Sequence, residues 1–480
     1  MRIHVVAVSG TGMGPLAGLL GSMGHAVTGS DIAFDPPIGP LLAEWGVECR
    51  RGFSAANLAD RPELVVVGNL CRPDNVEARF AIDSGLAYTH IGGVLSRFVL
   101  PGTRPLVVTG THGKTTTSAL AAGLLEAVGL APGYLIGGVP HGLGRSFRAP
   151  ASGPRSLLKS APPFVIEGDE YDTAFFEKTA KFLHYRAEVV IVTSMEHDHV
   201  DIYPTLEDYV RPFERLVSSL PEKGLIVANA ADPRVVSMLS AHANVQIVWY
   251  ALEGQPTFGV APHWLVAPAA ADASGTSFDL FLGGVSAGRW ATPLMGRHNL
   301  ANAAAALAAV THGYGVDVAS LRTPLATQRG VKRRQELLGT PGGVFVYDDF
   351  AHHPTAVHET LLALRTRHGE GKLFAVFEPR SATACRNLHQ AAYPPAFAAS
   401  DRVLLGKVAR DLPEAERLDI QCVCAELRQL GVAADPCDSA DEIVARVCQE
   451  ARPGDVIAVL SNGTFGGLHA KLLGGLAARG

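Results

Sequence analysis

One stretch constrains the fold of this chain more than any other: Val107-Val-Thr-Gly-Thr-His-Gly-Lys-Thr-Thr-Thr117. The apolar residues entering it read as a β-strand, and the alanine-rich segment from Ser118 to Val128 reads as a helix. A strand–loop–helix unit aims backbone N–H groups and a helix N-terminus at one point, and so holds an anion. Gly110 and Gly113 let the backbone come close, Lys114 adds a positive charge, and the Thr115 hydroxyl can ligate magnesium. The general phosphate-loop pattern has glycine where Val108 stands, so the form here is the shorter Thr-Gly-Thr-His-Gly-Lys-Thr. Thr111, His112 and Thr116 fall in the same loop. The chemistry expected is ATP binding on an α/β framework.

At 480 residues the chain is too long for one core, and length alone predicts about three domains. With 47% hydrophobic and 18% charged residues the composition is that of an ordinary globular protein. A formal charge of −5 gives no ground for a nucleic-acid or anionic-membrane partner. No apolar run is long enough to span a bilayer. Met1 to Gly10 has a short apolar run followed by a glycine turn, which reads as a first strand rather than a leader. The seven cysteines are scattered, and Cys422-Val-Cys424 lacks the further ligands of a zinc site. These features predict a cytoplasmic protein.

Residues 1–103 read as a nucleotide-binding α/β unit. Strand Ile3 to Val8 runs into Ser9-Gly-Thr-Gly-Met-Gly14, followed by a helix to about Met23. Strand His25 to Thr28 ends at Gly29-Ser30-Asp31, where a Rossmann unit holds a ribose. Leu64 to Val67, ending at Asn69, and Tyr88 to His90 are further strands. Pro15 interrupts the glycine pattern of a dinucleotide site. Pro101 to Pro105 is a linker. Residues 104–325 then alternate strand and helix, with buried parallel strands at Phe164 to Ile166 and Val189 to Thr193. Residues 146–163 read as a surface loop, 245–292 as a small additional antiparallel sheet, and Asn299 to His312 as a helix. After a boundary at 321–330, residues 326–480 carry strands Val344 to Tyr347, Leu373 to Phe377, Arg402 to Leu405 and Val456 to Leu460. The expected fold is α/β in three domains: a Rossmann-like first domain, a central P-loop ATPase domain and a Rossmann-like C-terminal domain.

Acidic and histidine clusters follow the strands. Glu167-Gly-Asp-Glu-Tyr-Asp172 stands at a strand end, where a carboxylate can hold magnesium opposite phosphates; a solvated acidic turn is the alternative. Glu196-His-Asp-His199-Val-Asp201 favours a metal or phosphate site. Asn299 and Asn302 share one helix face, within reach of a purine edge, or serve as a helix cap. Lys332 to Glu336, with Arg334, and Tyr347 to Pro354, with Asp349 and His352, are either solvated charges or a clamp on nucleotide across a cleft. Glu378-Pro-Arg-Ser-Ala-Thr383 and Ser461 to Gly467 each follow a strand, where substrate loops lie.

Together, Thr109 to Thr117, Glu167 to Asp172, Asp198-His199, Gly296 to Asn302 and Asp348 to Pro354 resemble the Mur ligases of bacterial cell-wall synthesis, over essentially the whole chain. Within that family Met1 to Asp31, Glu167 to Tyr185, Glu378 to Ser381 and Ser461 to His469 resemble the members that recycle murein tripeptide. The members that add L-alanine to the same UDP-N-acetylmuramate, the alternative activity, carry His-Arg-Tyr-Thr-Arg where this chain has Arg380-Ser-Ala-Thr-Ala384. Ala382 stands where the recycling members usually have asparagine, and Ser194 where the family often has it. No lysine lies between His199 and Leu216, so a carbamylated lysine is not expected.

The resemblance implies an ATP-dependent amide ligase that works through an acyl phosphate. By the same resemblance, Lys114, Glu167 and His199 are catalytic, and Thr115, Glu167 and His199 bind Mg²⁺. ATP is held by Gly110 to Thr116 with Asn299, Asn302, Arg334 and Asp349. UDP-N-acetylmuramate is held by Gly10, Gly12, Gly14, Ser30, Asp31, Asn69 and His90. The murein tripeptide meets His352, Arg380, Ser381, Asn462 and Thr464. A monomer or weak homodimer is expected, with no nucleic acid and no membrane. A nicotinamide dehydrogenase would leave Lys114-Thr115 unexplained, and a nucleotide-gated switch would not need a sugar domain.

Overall fold

Leu64-Val-Val-Val67 is apolar on both faces, as a strand covered on both sides must be. It lies fully buried beside Arg2–Val6 in a sheet of five parallel strands. The order across this sheet is Glu48–Arg51, Ala26–Asp31, Arg2–Val6, Leu64–Val67, Tyr88–Thr89. The helix Met13–Ser22 follows the central strand, which ends earlier than the apolar run predicts because the chain bends at Ala7, with φ of 64°. The computed structural model describes residues 1–35, 38–151, 161–272 and 274–479.

The second unit is a ten-stranded sheet with Arg104–Thr109 near its middle, flanked by Val189–Val192 and Pro163–Glu167. Helices Lys114–Ala127 and Arg297–Tyr314 pack together over one face through their alanines and leucines. The expected small extra sheet is not separate. Trp264–Asp272 pairs in parallel with Gln246–Leu252, and two antiparallel strands, Gly275–Leu282 and Val285–Thr292, extend the same sheet outwards. Segment 146–163 is not simply a surface loop either. Phe147–Arg148 is a short strand against Gly133–Leu135, and the Phe147 ring is buried 4.9 Å from Trp45 of the first unit. Residues 152–160 of that segment lie outside the described residues.

The third unit is a six-stranded sheet, ordered Glu336–Gly339, Phe345–Asp349, Val456–Leu460, Leu373–Phe377, Arg402–Leu405, Ala433–Pro436. All but the first edge strand run parallel. A hairpin unforeseen in the sequence, Asp172–Ala174 with Glu177–Ala180, packs its tip residues Phe175 and Phe176 on the first unit, with Phe176 5.1 Å from Tyr88. Among the described residues no helix is long and apolar enough to cross a membrane. All seven cysteines are free thiols.

Candidate active site

In open α/β sheets ligands collect at the carboxyl ends of the strands. The functional loops of this chain leave those ends: 110–113 after Thr109, 168–172 after Glu167, 193–201 after Val192, 350–353 after Asp349, 378–386 after Phe377 and 461–467 after Leu460. In the phosphate loop Gly110 and Gly113 take φ of 121° and 81°, a region that favours glycine. A side chain at Gly113 would also collide with Asn302, and one at Gly110 with Thr193 and the Ser194 backbone. Ser194 carries part of the loop: its hydroxyl accepts the His112 N–H at 3.0 Å and its carbonyl the Thr111 N–H at 3.0 Å.

Lys114 opens the helix and donates through Nζ to the Gly110 carbonyl at 2.7 Å and to Glu170 Oε1 at 3.0 Å. Glu170 Oε2 lies equally near, at 3.0 Å, without hydrogen-bond geometry. Glu170 is fully buried, and its Oε1 also meets His199 Nε2 at 2.9 Å and the Tyr209 hydroxyl at 3.4 Å. Burial alone would raise the Glu170 pKa, but Lys114 and His199 hold it below the ordinary carboxylate value. For Lys114 burial works downward, and Glu170, Asp169 and Glu167 outweigh it, so the lysine stays charged. Likewise burial would lower His199, while the Glu170 hydrogen bond and charge raise it. Glu170 is the centre of this site, and sequence reasoning passed over it.

Of the three expected metal ligands, the structure brings two together. Thr115 Oγ1 donates to Glu167 Oε1 at 2.9 Å, and the other Glu167 oxygen accepts the Gly137 N–H at 2.7 Å. An all-oxygen pair beside a phosphate loop fits a hard cation such as Mg²⁺. His199 is turned to Glu170 and not to Glu167, because its Nε2 is engaged there. Lys114 is not a solvated loop cation: its ammonium is seated on a buried carboxylate.

The loop opens into a cavity of about 710 Å³ between the second and third units, which Thr116, Asn299, Asn302, Arg334, Asp349 and His353 help to line. Asn302 donates to Asn299 Oδ1 at 3.0 Å, so the two amides form one polar edge. Arg334 lies 3.4 Å from the Thr115 hydroxyl and rests 4.9 Å over the Phe350 ring. Asp349 accepts the Gln335 and Ala351 N–H groups at 2.8 and 2.7 Å, and burial raises its pKa. Arg333, also passed over, bends at φ 61° and pins Asp348 together with the Ser461 and Gly463 carbonyls.

In the first unit Gly10 and Gly12 have room for a side chain, so packing does not require glycine there; at Gly14 packing does, since Ile38 abuts it. Asp31 accepts the Ser9 N–H at 2.8 Å. Ser30 faces inward, completely buried, and its hydroxyl donates to Glu77 beside His4, so it does not present itself to a nucleoside. His90 is likewise engaged, with Nε2 at 2.9 Å from Glu177 and Nδ1 accepting the Gly93 N–H. Asn69 follows the strand Leu64–Val67 and is half-buried.

The expected acceptor residues gather at the ends of three neighbouring strands, Phe345–Asp349, Val456–Leu460 and Leu373–Phe377. Arg380 is half-exposed, 3.7 Å from Glu378, and lies against Gly463, where any side chain would collide with it. Ser381 accepts the Ala384 N–H at 3.0 Å, and Asn462 buries an Oδ1 that has no hydrogen-bond partner. Thr464 is exposed, and His352 is held through Nδ1 on the Phe350 carbonyl at 3.1 Å. Ala382 is buried, and its carbonyl accepts from Arg386.

This architecture has known counterparts. The Mur ligase family catalytic domain matches residues 2–101, the Mur ligase middle domain 108–310 and the Mur ligase glutamate ligase domain 333–463. The UDP-N-acetylmuramate–L-alanyl-γ-D-glutamyl-meso-2,6-diaminoheptandioate ligase of Escherichia coli K12 is 37% identical, covering 99% of this chain and 98% of its own. A UDP-N-acetylmuramate–L-alanine ligase of a Nocardioides species is 34% identical over 98% of this chain and 96% of its own. The crystal structure of a murein peptide ligase from Psychrobacter arcticus has a TM-score of 0.75 at 32% identity, covering 99% of both chains. The chain belongs to the Mur ligase family, whose members are ATP-dependent ligases.

Proposed function

We propose that this chain uses ATP and Mg²⁺ to join L-Ala-γ-D-Glu-meso-diaminopimelate to UDP-N-acetylmuramate. The observation that carries the reading is that the acceptor-side loop closes on loop 193–201, which braces the phosphate loop through Ser194: Thr383 of the third unit donates to Asp198 of the second at 2.6 Å. An enzyme that activates a carboxylate and then passes it to an amine needs both loops in one enclosure, because water would hydrolyse the activated acyl group. The tripeptide acceptor is supported by likeness over the full chain to the Escherichia coli ligase that carries it in its name.

The muramyl carboxylate attacks the γ-phosphorus, ADP leaves, and the carboxylate becomes an acyl phosphate. The peptide amine then attacks the acyl carbon; phosphate leaves, the amine loses a proton and an amide remains. Two anions must meet in the first step. Lys114 and the N–H groups of the loop neutralise and orient the transferring phosphoryl group, which is an electrostatic and positioning role. Thr115 and Glu167 would hold Mg²⁺, which supplies further positive charge at the phosphates. Asn299 and Asn302 offer a polar edge to the adenine, while Arg334 and Asp349 close the cavity from the third unit. Gly10, Gly12 and Asp31 would receive the UDP moiety, and Arg380 would take a peptide carboxylate through its two parallel N–H groups.

Incubation with ATP, Mg²⁺, UDP-N-acetylmuramate and equal amounts of tripeptide and L-alanine tests the acceptor. The tripeptide product should exceed the L-alanine product by more than about tenfold, since several carboxylates anchor the longer acceptor. A mixture dominated by UDP-N-acetylmuramoyl-L-alanine would assign the chain to biosynthesis instead.

A further inference from the structure

The contact between Thr383 and Asp198 does more than close an interface. Both side chains are buried, and the Asp198 Oδ1 that accepts the Thr383 hydroxyl also accepts the His199 backbone N–H at 2.7 Å. His199 has φ of 54°, a left-handed conformation that a non-glycine residue holds only when its surroundings fix it. From there the polar contacts continue without a gap: His199 Nε2 to Glu170 at 2.9 Å, and Glu170 to Lys114 Nζ at 3.0 Å. A hydroxyl on the acceptor-side loop thus stands at one end of a chain of buried and half-buried polar contacts that ends at the phosphate-loop lysine.

We propose that Thr383 is a positioning residue for phosphoryl transfer: docked on Asp198, it fixes the His199 turn and, through Glu170, the place of the Lys114 ammonium. The inference rests on the ligase reading given above. Its physical basis is that a buried carboxylate deprived of a donor moves to find another, and here the same oxygen holds the His199 turn. The Thr383 hydroxyl is buried and spent on Asp198, so removing it should slow the step without weakening substrate capture. Phosphoryl transfer becomes contingent on the third unit being docked, which keeps the activated carboxylate from forming in an open, wet site.

Steady-state kinetics of Thr383→Val and Thr383→Ser, read by amide product and by phosphate release, test this. The valine variant should lose about 10- to 100-fold in kcat, while KM for ATP and for tripeptide stays within about threefold. The serine variant keeps the hydroxyl and should stay within about threefold of the parent in kcat. Should the valine variant fail to fold, Thr383→Ala against Thr383→Ser gives the same comparison. Parental kcat in the valine variant, a rise in KM alone, or a serine variant as slow as valine would each overturn the inference. A parent enzyme that makes no amide from tripeptide and UDP-N-acetylmuramate would instead defeat the ligase reading, and this inference with it.

Discussion

Lys114→Ala is expected to cut ATP-dependent phosphate release by about 100-fold or more, because the loop loses the one charge that follows the transferring phosphoryl group. The same substitution should lower the melting temperature. Lys114 is the cation seated on fully buried Glu170, and removing one member of a buried pair commonly costs about 3–5 kcal/mol through the charge left behind. The two effects separate in a double variant. Adding Glu170→Gln removes the stranded negative charge, so Lys114→Ala/Glu170→Gln should regain much of the lost melting temperature and none of the turnover. Near-parental phosphate release from Lys114→Ala would take the loop out of the mechanism.

Glu170→Ala should be comparably damaging from the other side of the pair. Lys114 and His199 would lose their shared partner, and kcat should fall by at least about tenfold as the ammonium leaves its position. The His199 ring reports the change directly. Burial pushes its pKa down, and Glu170 together with Asp198 more than reverses this, so removing Glu170 should lower the pKa. Its contribution to stability has a defined sign. A histidine whose folded pKa is raised stabilises fully below the unfolded value and loses that contribution as pH rises through the folded value. The stability gap between parent and Glu170→Ala should therefore narrow on going from mildly acid to alkaline pH, leaving the Lys114 part, which persists. An NMR titration in which the His199 pKa is unchanged by Glu170→Ala would contradict the pairing.

Much of the fold was legible because its central strands are apolar on both faces. Leu373–Phe377, Arg402–Leu405 and Val456–Leu460 stand where continuous hydrophobic runs put them. The hairpin Asp172–Ala174 with Glu177–Ala180 left no such trace, since it is short and polar and earns its place only through Phe175 and Phe176 at its tip. The antiparallel strands near 264–292 were visible as strands; that they extend the main sheet depends on the long-range pairing of Tyr250 with Trp264, which no local pattern reports.

The site was legible in its loops and less so in its partners. Glu167 and Glu170 stand three residues apart in one acidic turn, and only the fold turns one towards Thr115 and the other towards Lys114 and His199. Ser30 did have a signal. Thr28 and Ser30 lie two apart on a strand and so share a face, and His4 on the neighbouring strand sits on that face and meets both. Asp31, one residue on, points the other way and takes the Ser9 N–H of the glycine turn.

The chain is expected to activate the carboxylate of UDP-N-acetylmuramate as an acyl phosphate. Labelling both oxygens of that carboxylate with heavy oxygen, supplying ATP, Mg²⁺ and tripeptide, and weighing the products tests it most directly. One heavy oxygen should appear in the released phosphate and the other in the new amide carbonyl. Unlabelled phosphate, or label appearing in AMP, would contradict it.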